Sequence, residues 1–149
     1  IEAVELPNSS IVKNMNKLKR LGLVDCGLNE IYGLIGKTEL IFCDISYNNF
    51  EEIADIWPLF WSAKLMWLSV SDCMLEHLNV QFWPELRVLE IDGNGMDYLH
   101  NLQLCKNLKF VDYTANCIKI FYERNKKNWP NLYFHPVLEW AIALEEKNK

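Results

Sequence analysis

Apolar residues recur along this chain at fixed offsets that fit neither a continuous helix nor a simple alternating strand. Leu18, Leu21, Leu23, Cys26, Leu28 and Ile31 spell LxxLxLxxCxLxxI. The same offsets return as Leu40, Cys43, Ile45, Asn48, Phe50 and Ile53, then as Leu65, Leu68, Val70, Cys73, Leu75 and Leu78. Leu86, Leu89, Ile91, Asn94, Met96 and Leu99 follow, and Leu108, Val111, Tyr113, Asn116, Ile118 and Phe121 complete the series. Successive starts lie 22, 25, 21 and 22 residues apart. Self-similarity at such a period marks a solenoid of stacked supersecondary units. Within each unit the LxLxx stretch alternates inward and outward as a short strand, so that Leu21 and Leu23 point in and Gly22 points out. Strands from neighbouring units then stack in parallel into one sheet. The Asn or Cys three residues after the second strand Leu falls where the chain turns inward. A side chain there satisfies backbone groups that would otherwise be buried without partners. Asn48, Asn94 and Asn116 are expected to form that ladder, with Cys26 and Cys73 in the same place. No unit can bury its apolar face alone, so stability comes from stacking.

The pattern resembles that of leucine-rich repeat proteins, and the chain is identified as a member of that group. The resemblance implies an α/β solenoid with a curved parallel sheet on the concave face and short helices or loops on the convex one. Steps near 22 residues resemble the short Sds22-like subclass rather than the longer ribonuclease-inhibitor type. Residues 122–132, YERNKKNWPNL, are similar to the capping segment of that subclass, in which a Tyr-led stretch ends in Pro-x-Leu. Cysteine in the ladder is a known substitution in the family, which accounts for Cys26 and Cys73 without redox chemistry. The departures from the pattern are those two cysteines and the 25-residue step after Phe50. The chain is expected to be one domain: a degenerate or truncated first repeat over 1–17, five repeats over 18–121, and a C-terminal cap with a helix over 122–149. A last strand is expected at 132–135. Residues 137–148, with Val137, Leu138, Ile142 and Leu144 around Trp140 and Ala141, predict the terminal helix that covers the last repeat.

The longer step holds Ile53, Ile56, Trp57, Pro58, Leu59, Phe60 and Trp61. It is read as a helical turn whose aromatics fill the space between sheet and convex side. The alternative is an exposed apolar patch for a second partner.

With the register fixed, the outward strand positions follow. The third position of each repeat gives Arg20, Phe42, Trp67, Val88 and Phe110, with Phe134 in the last strand. The fifth gives Gly22, Asp44, Ser69, Glu90 and Asp112. The seventh gives Val24, Ser46, Ser71, Asp92 and Thr114, and the eighth Asp25, Tyr47, Asp72, Gly93 and Ala115. Strands lie ~4.8 Å apart, so each column is a stripe along the sheet. One stripe is largely aromatic, and those beside it carry carboxylates with no Lys or Arg among them. Lys19, Arg87 and Lys109 fall in the second position, at the sheet edge. Aromatic anchors beside like charges suit protein binding, with the acids supplying steering and register. Phe42, Asp44, Tyr47, Trp67, Asp72, Glu90, Asp92, Phe110 and Asp112 are therefore the candidate partner-binding residues. The expected partner has basic residues flanking an apolar stretch, and a helix lying in the groove would fit. The bland alternative is a solvated face whose aromatics pack only on each other.

Composition narrows the function classes. The chain has 149 residues, half of them apolar, with a net charge of −5. The apolar fraction excludes intrinsic disorder. No apolar run reaches the ~18–20 residues of a membrane helix. An excess of Asp and Glu, 20 against 15 Lys and Arg, disfavours direct nucleic-acid binding. Arg124, Lys126 and Lys127 form a basic cluster in the cap and are read as a solvated surface. The start at Ile1 reads as a processed or excised segment. The five cysteines include no Cys-x-x-Cys pair, and most are read as buried, reduced thiols of a reducing compartment. A sequon at Asn8 points the other way. Phosphate loops, H-E-x-x-H and G-x-S-x-G are absent. Asp92-Gly93-Asn94-Gly95 superficially matches the start of a calcium loop, without the remaining ligands and the distal Glu. His77, His100 and His135 are read as turn or surface residues. No catalytic residue, metal or cofactor is expected. The reading is a non-catalytic protein-interaction module, a scaffold or regulatory subunit in the cytoplasm or nucleus. The alternatives are a secreted or cell-surface innate-immune recognition module and a protein-binding subunit of an RNA-processing or export complex.

Overall fold

Three-residue strands form where the LxL alternation predicts them, because each has an inward residue to bury and outward neighbours to expose. The computed structural model describes residues 8–50, 53–116 and 133–134. The main sheet contains β1 (Arg20–Gly22), β2 (Phe42–Asp44), β3 (Trp67–Ser69), β5 (Val88–Glu90), β7 (Phe110–Asp112) and β8 (Tyr133–Phe134), in that spatial order and all parallel. Pairing runs in repeat register, with Arg20, Phe42, Trp67, Val88 and Phe110 side by side. The last strand differs by one residue from expectation. Tyr133, and not Phe134, pairs with Phe110, while Phe134 pairs with Val111. In register, Tyr133 therefore stands at the third position of the repeat.

A second, smaller sheet pairs β4 (His77–Asn79) with β6 (Tyr98–His100), also in parallel. Leu78 and Leu99, the last apolar positions of their repeats, are its buried residues. His77 and His100, read from the sequence as turn or surface residues, are exposed and lie on adjacent strands, with ring centroids 6.2 Å apart and His77 Nδ1 3.6 Å from Asp97. The convex side is built from short 3₁₀ turns at Ser9–Val12, Tyr32–Leu34, Val80–Phe82 and Leu102–Leu104 and a longer one at Ile53–Trp61.

The core is a stack of layers. Leu21, Cys43, Leu68, Leu89 and Val111 form one buried column, and Leu23, Ile45, Val70, Ile91 and Tyr113 the next. Burying each such side chain contributes about 1.5–3 kcal/mol. Trp83 is buried under the convex turns and donates its indole N–H to the Leu59 carbonyl at 3.0 Å.

The Asn ladder forms as expected. Asn48 Oδ1 accepts from the backbone of Cys26 and Leu28, and Asn94 Oδ1 from Cys73 and Leu75. Their amide nitrogens donate to carbonyls of their own turn and of the preceding repeat. Asn116 extends the ladder, with Oδ1 3.0 Å from the Met96 nitrogen. The Cys73 thiol does half of this job, donating to the Ile45 and Ser71 carbonyls. Its sulfur receives the Asn48 N–H, a bond that opposes the effect of burial on its pKa. The Phe50 N–H goes to the Cys73 backbone carbonyl.

The eighth position of every repeat adopts left-handed φ: 52° at Asp25, 58° at Tyr47, 49° at Asp72, 67° at Gly93 and 55° at Ala115. Gly93 adopts this freely, and Asp25 and Asp72 belong to a type that tolerates it. Tyr47 and Ala115 accept a cost of ~1–2 kcal/mol each so that the chain can leave the strand and turn inward.

At the N-terminal end, the Ser9–Val12 turn packs on Tyr32–Leu34. Ser9 Oγ accepts from the Gly33 N–H at 2.8 Å, and a Cβ on Gly33 would overlap the Ser9 carbonyl. Lys37, only 2% exposed, threads its ammonium to the Lys13 carbonyl at 2.6 Å. The expected cap and terminal helix lie outside the described residues.

Candidate functional site

The concave sheet brings the candidate residues into the predicted columns. Phe42 and Trp67 stack face to face, 4.2 Å between centroids and 8° from parallel. On the far side of Phe42 the Arg20 guanidinium lies 4.3 Å from the ring centroid. The outermost part of the third-position stripe is thus an ordered cation–aromatic–aromatic stack. Such an arrangement is favoured by the negative potential over each ring face. Val88 and Phe110 continue the column, both half-buried.

The carboxylates sit beside this stripe, partly buried rather than fully solvated. Asp44 accepts from the Ser46 backbone N–H at 3.1 Å and from its hydroxyl at 2.6 Å. Asp112 accepts from the Thr114 N–H at 3.0 Å. Ser71 gives its hydroxyl to Asp92 across the sheet, and Ser69 and Ser71 are linked at 3.4 Å. Glu90 stands in the middle. Burial raises its pKa above the ordinary value, and Asp44, Asp92 and Asp112 push the same way against a hydrogen bond from Ser69. Tyr47 is exposed, and its hydroxyl is held above its usual range chiefly by the Asp72 carboxylate, with which it also shares a hydrogen bond. Asp72 in turn occupies the space above Gly93 that a Cβ would fill. The candidate residues therefore form two neighbouring groups. Phe42, Trp67, Asp44, Glu90, Phe110 and Asp112 line the strands, while Tyr47, Asp72 and Asp92 line the turns that follow them.

Along the opposite edge of the sheet, Arg87, Lys106, Asn107, Leu108 and Lys109 surround a cavity of about 310 Å³. This places Arg87 and Lys109 at the strand entrances, as the register predicts. Among the described residues, no group of three or more His, Cys, Asp or Glu is placed to hold a metal ion. No helix there is long and apolar enough to cross a membrane.

The four described cysteines are free and buried. Burial pushes the Cys43 thiol far up, Cys73 to about 12 and Cys105 to about 11. Thiols in that state are poor nucleophiles and behave as small apolar residues.

The convex segment divides between the two expectations. Ile56 and Leu59 are fully buried, and Phe60 stacks on Phe82 at 3.9 Å and meets Trp83 edge-on. Trp57 and Trp61, however, are 36% and 54% exposed, and Trp57 leans towards the exposed Tyr32 at 6.3 Å. With a Pro inside and a 3₁₀ pitch, this turn does not bring all its aromatics to one side. Two of them are left in water.

No family model matches this sequence, and no curated protein matches it. Solved structures do. A leucine-rich repeat protein of Leptospira interrogans superposes with a TM-score of 0.76 at 23% identity, over 89% of this chain and 34% of that one. An internalin of Listeria monocytogenes superposes with a TM-score of 0.61 at 18% identity, over 77% of this chain and 34% of that one. The chain thus spans about a third of the length of each of these proteins. The repeated strand–turn unit, the Asn ladder and these superpositions make the chain a leucine-rich repeat solenoid.

Proposed function

We propose that this domain is a non-catalytic protein-interaction module whose concave face binds a partner carrying basic residues around an apolar stretch. The observation that carries the reading is the juxtaposition on one open sheet of the Phe42–Trp67 stack with half-buried Asp44, Glu90, Asp92 and Asp112. Rigid aromatic surface supplies contact area at little entropic cost, and adjacent carboxylates attract and orient a cationic partner. A scaffold or regulatory-subunit role follows from a binding face without catalytic groups. Buried, free thiols fit a reducing compartment, so we place the protein in the cytoplasm or nucleus. The same acidic face disfavours direct contact with nucleic acid.

The test is capture of partners from native extract with the wild type and with a variant combining Asp44→Lys, Glu90→Lys, Asp112→Lys and Trp67→Ala. All four positions face outward, so folding is checked by circular dichroism and thermal melting. Loss of a partner with the variant alone supports the reading; unchanged partners refute it. A second reading is favoured by the exposure of Trp57 and Trp61 beside Tyr32. In that case a Trp57→Ser/Trp61→Ser variant loses the partner that the concave variant keeps.

A further inference from the structure

The aromatic stripe is interrupted once. Register places Val88 between Trp67 and Phe110, so a short aliphatic side chain stands where its neighbours carry rings. Phe42 and Trp67 are nearly parallel and 4.2 Å apart, which fixes the direction in which the indole presents its faces. One face is covered by Phe42. The other looks along the column, over Val88, towards Phe110. Because Trp67 and Phe110 are two strands apart, the gap between them is about 8–10 Å. That is close to twice the 4.2 and 4.3 Å at which the Trp67 ring and the Arg20 guanidinium stack on Phe42. Val88 is too short to fill it.

Glu90 belongs to the same strand as Val88, two residues on and therefore on the same face of the sheet. A notch with an aromatic wall, an aliphatic floor and a carboxylate at its rim is suited to a flat cation. The molecule shows the same solution at the other end of the stripe, where its own Arg20 stacks on Phe42.

We propose that the space over Val88 is an arginine-recognition notch: a partner arginine stacks its guanidinium on the free face of Trp67 and hydrogen-bonds to Glu90. This rests on the concave-face reading above and names the side chain that the face selects. Arginine is preferred over lysine because its guanidinium is planar, weakly hydrated and able to engage a carboxylate with two donors. The surrounding Asp44, Asp92 and Asp112 add favourable potential, and a bound cation would relieve the crowding of negative charge that now opposes ionisation of Glu90.

The probes are N-acetyl-arginine amide, its lysine counterpart and the citrulline counterpart, which keeps arginine's shape without its charge. Each is titrated into the ¹⁵N-labelled chain. Arginine is expected to shift the Trp67 indole and the Val88 and Glu90 amides saturably, about tenfold more tightly than lysine, and citrulline to leave them unmoved. Val88→Phe, which completes the aromatic stripe, should abolish these shifts. Glu90→Gln should weaken arginine by about tenfold while leaving the spectrum otherwise native. Equal shifts from arginine and citrulline overturn the proposal, as does undiminished arginine binding in Val88→Phe. Val88→Ala, which keeps the notch open, should still bind; if it loses binding together with Val88→Phe, a steric notch is refuted. The two readings fail separately. If the concave quadruple variant loses its partner but arginine never binds over Val88, the notch is wrong and the face is right. If arginine binds there while the quadruple variant retains every partner, the notch stands and the face is not the partner site.

Discussion

Replacing Asn94 by Ala removes the centre of the ladder, and its cost can be worked from the bonds it makes. Asn94 Oδ1 receives the Cys73 and Leu75 N–H groups at 3.0 Å each, and its amide nitrogen donates to Val70 at 2.8 Å and Ile91 at 2.9 Å. Alanine leaves two buried N–H groups without acceptors, and the carbonyls lose a donor. Each unsatisfied buried group costs about 1–3 kcal/mol, so about 2–6 kcal/mol is expected from the two N–H groups. That is a large part of the ~5–15 kcal/mol by which a domain is stable. Cys73→Ala provides the comparison, because a thiol is a weak acceptor and makes only weak donations, here at 3.2 and 3.3 Å. Its loss should cost no more than about 2 kcal/mol, mostly through packing. Asn94→Cys should fall between, since a thiol restores only a weak donor and a weak acceptor. Urea unfolding followed by tryptophan fluorescence measures all three, with the midpoint compared at constant m. A changed m in Asn94→Ala would mean that the repeats on either side uncouple, which hydrogen exchange at Cys73 and Leu75 would then locate. Equal losses for Asn94→Ala and Cys73→Ala, or a loss below about 1 kcal/mol for Asn94→Ala at unchanged m, would refute the ladder argument.

Further perturbations test other parts of the molecule. Glu90 has a raised pKa in the folded state, so its ionisation costs stability as pH rises through that value. Glu90→Gln should therefore melt higher than wild type at pH 7, with the gap closing towards pH 4; a gap that widens on acidification would reverse the sign of the argument. Gly33→Ala should detach the Ser9–Val12 turn, costing about 2–4 kcal/mol by local strain, read as faster hydrogen exchange at residues 9–15. Gly93→Ala combines left-handed φ with collision against Asp72 and should cost about 1–3 kcal/mol, whereas Ala115→Gly should be neutral or stabilising in thermal melts. Cys43, Cys73 and Cys105 should resist a thiol reagent at pH 8 in the native state and react at once in guanidinium.

The sequence by itself determined the repeat, the positions and parallel register of β1, β2, β3, β5 and β7, and the ladder, because a solenoid uses one local pattern again and again. Once Leu21, Cys43, Leu68, Leu89 and Val111 share an offset, their neighbours Phe42, Trp67 and Glu90 must share the outward face. Tertiary structure decided what local pattern does not encode. Left-handed φ at Tyr47 and Ala115 is imposed by the turn into the next layer, and no residue type announces it. The second sheet of β4 and β6 exists because two consecutive repeats place Leu78 and Leu99 in the same layer, which brings His77 beside His100. Counting offsets set Phe134 where the pairing of β8 with β7 puts Tyr133. Trp57 and Trp61 stay in water while Ile56, Pro58 and Leu59 of the same nine-residue turn are buried. Hydrophobicity marks all of these residues as apolar; packing against the neighbouring turns decides which of them are buried.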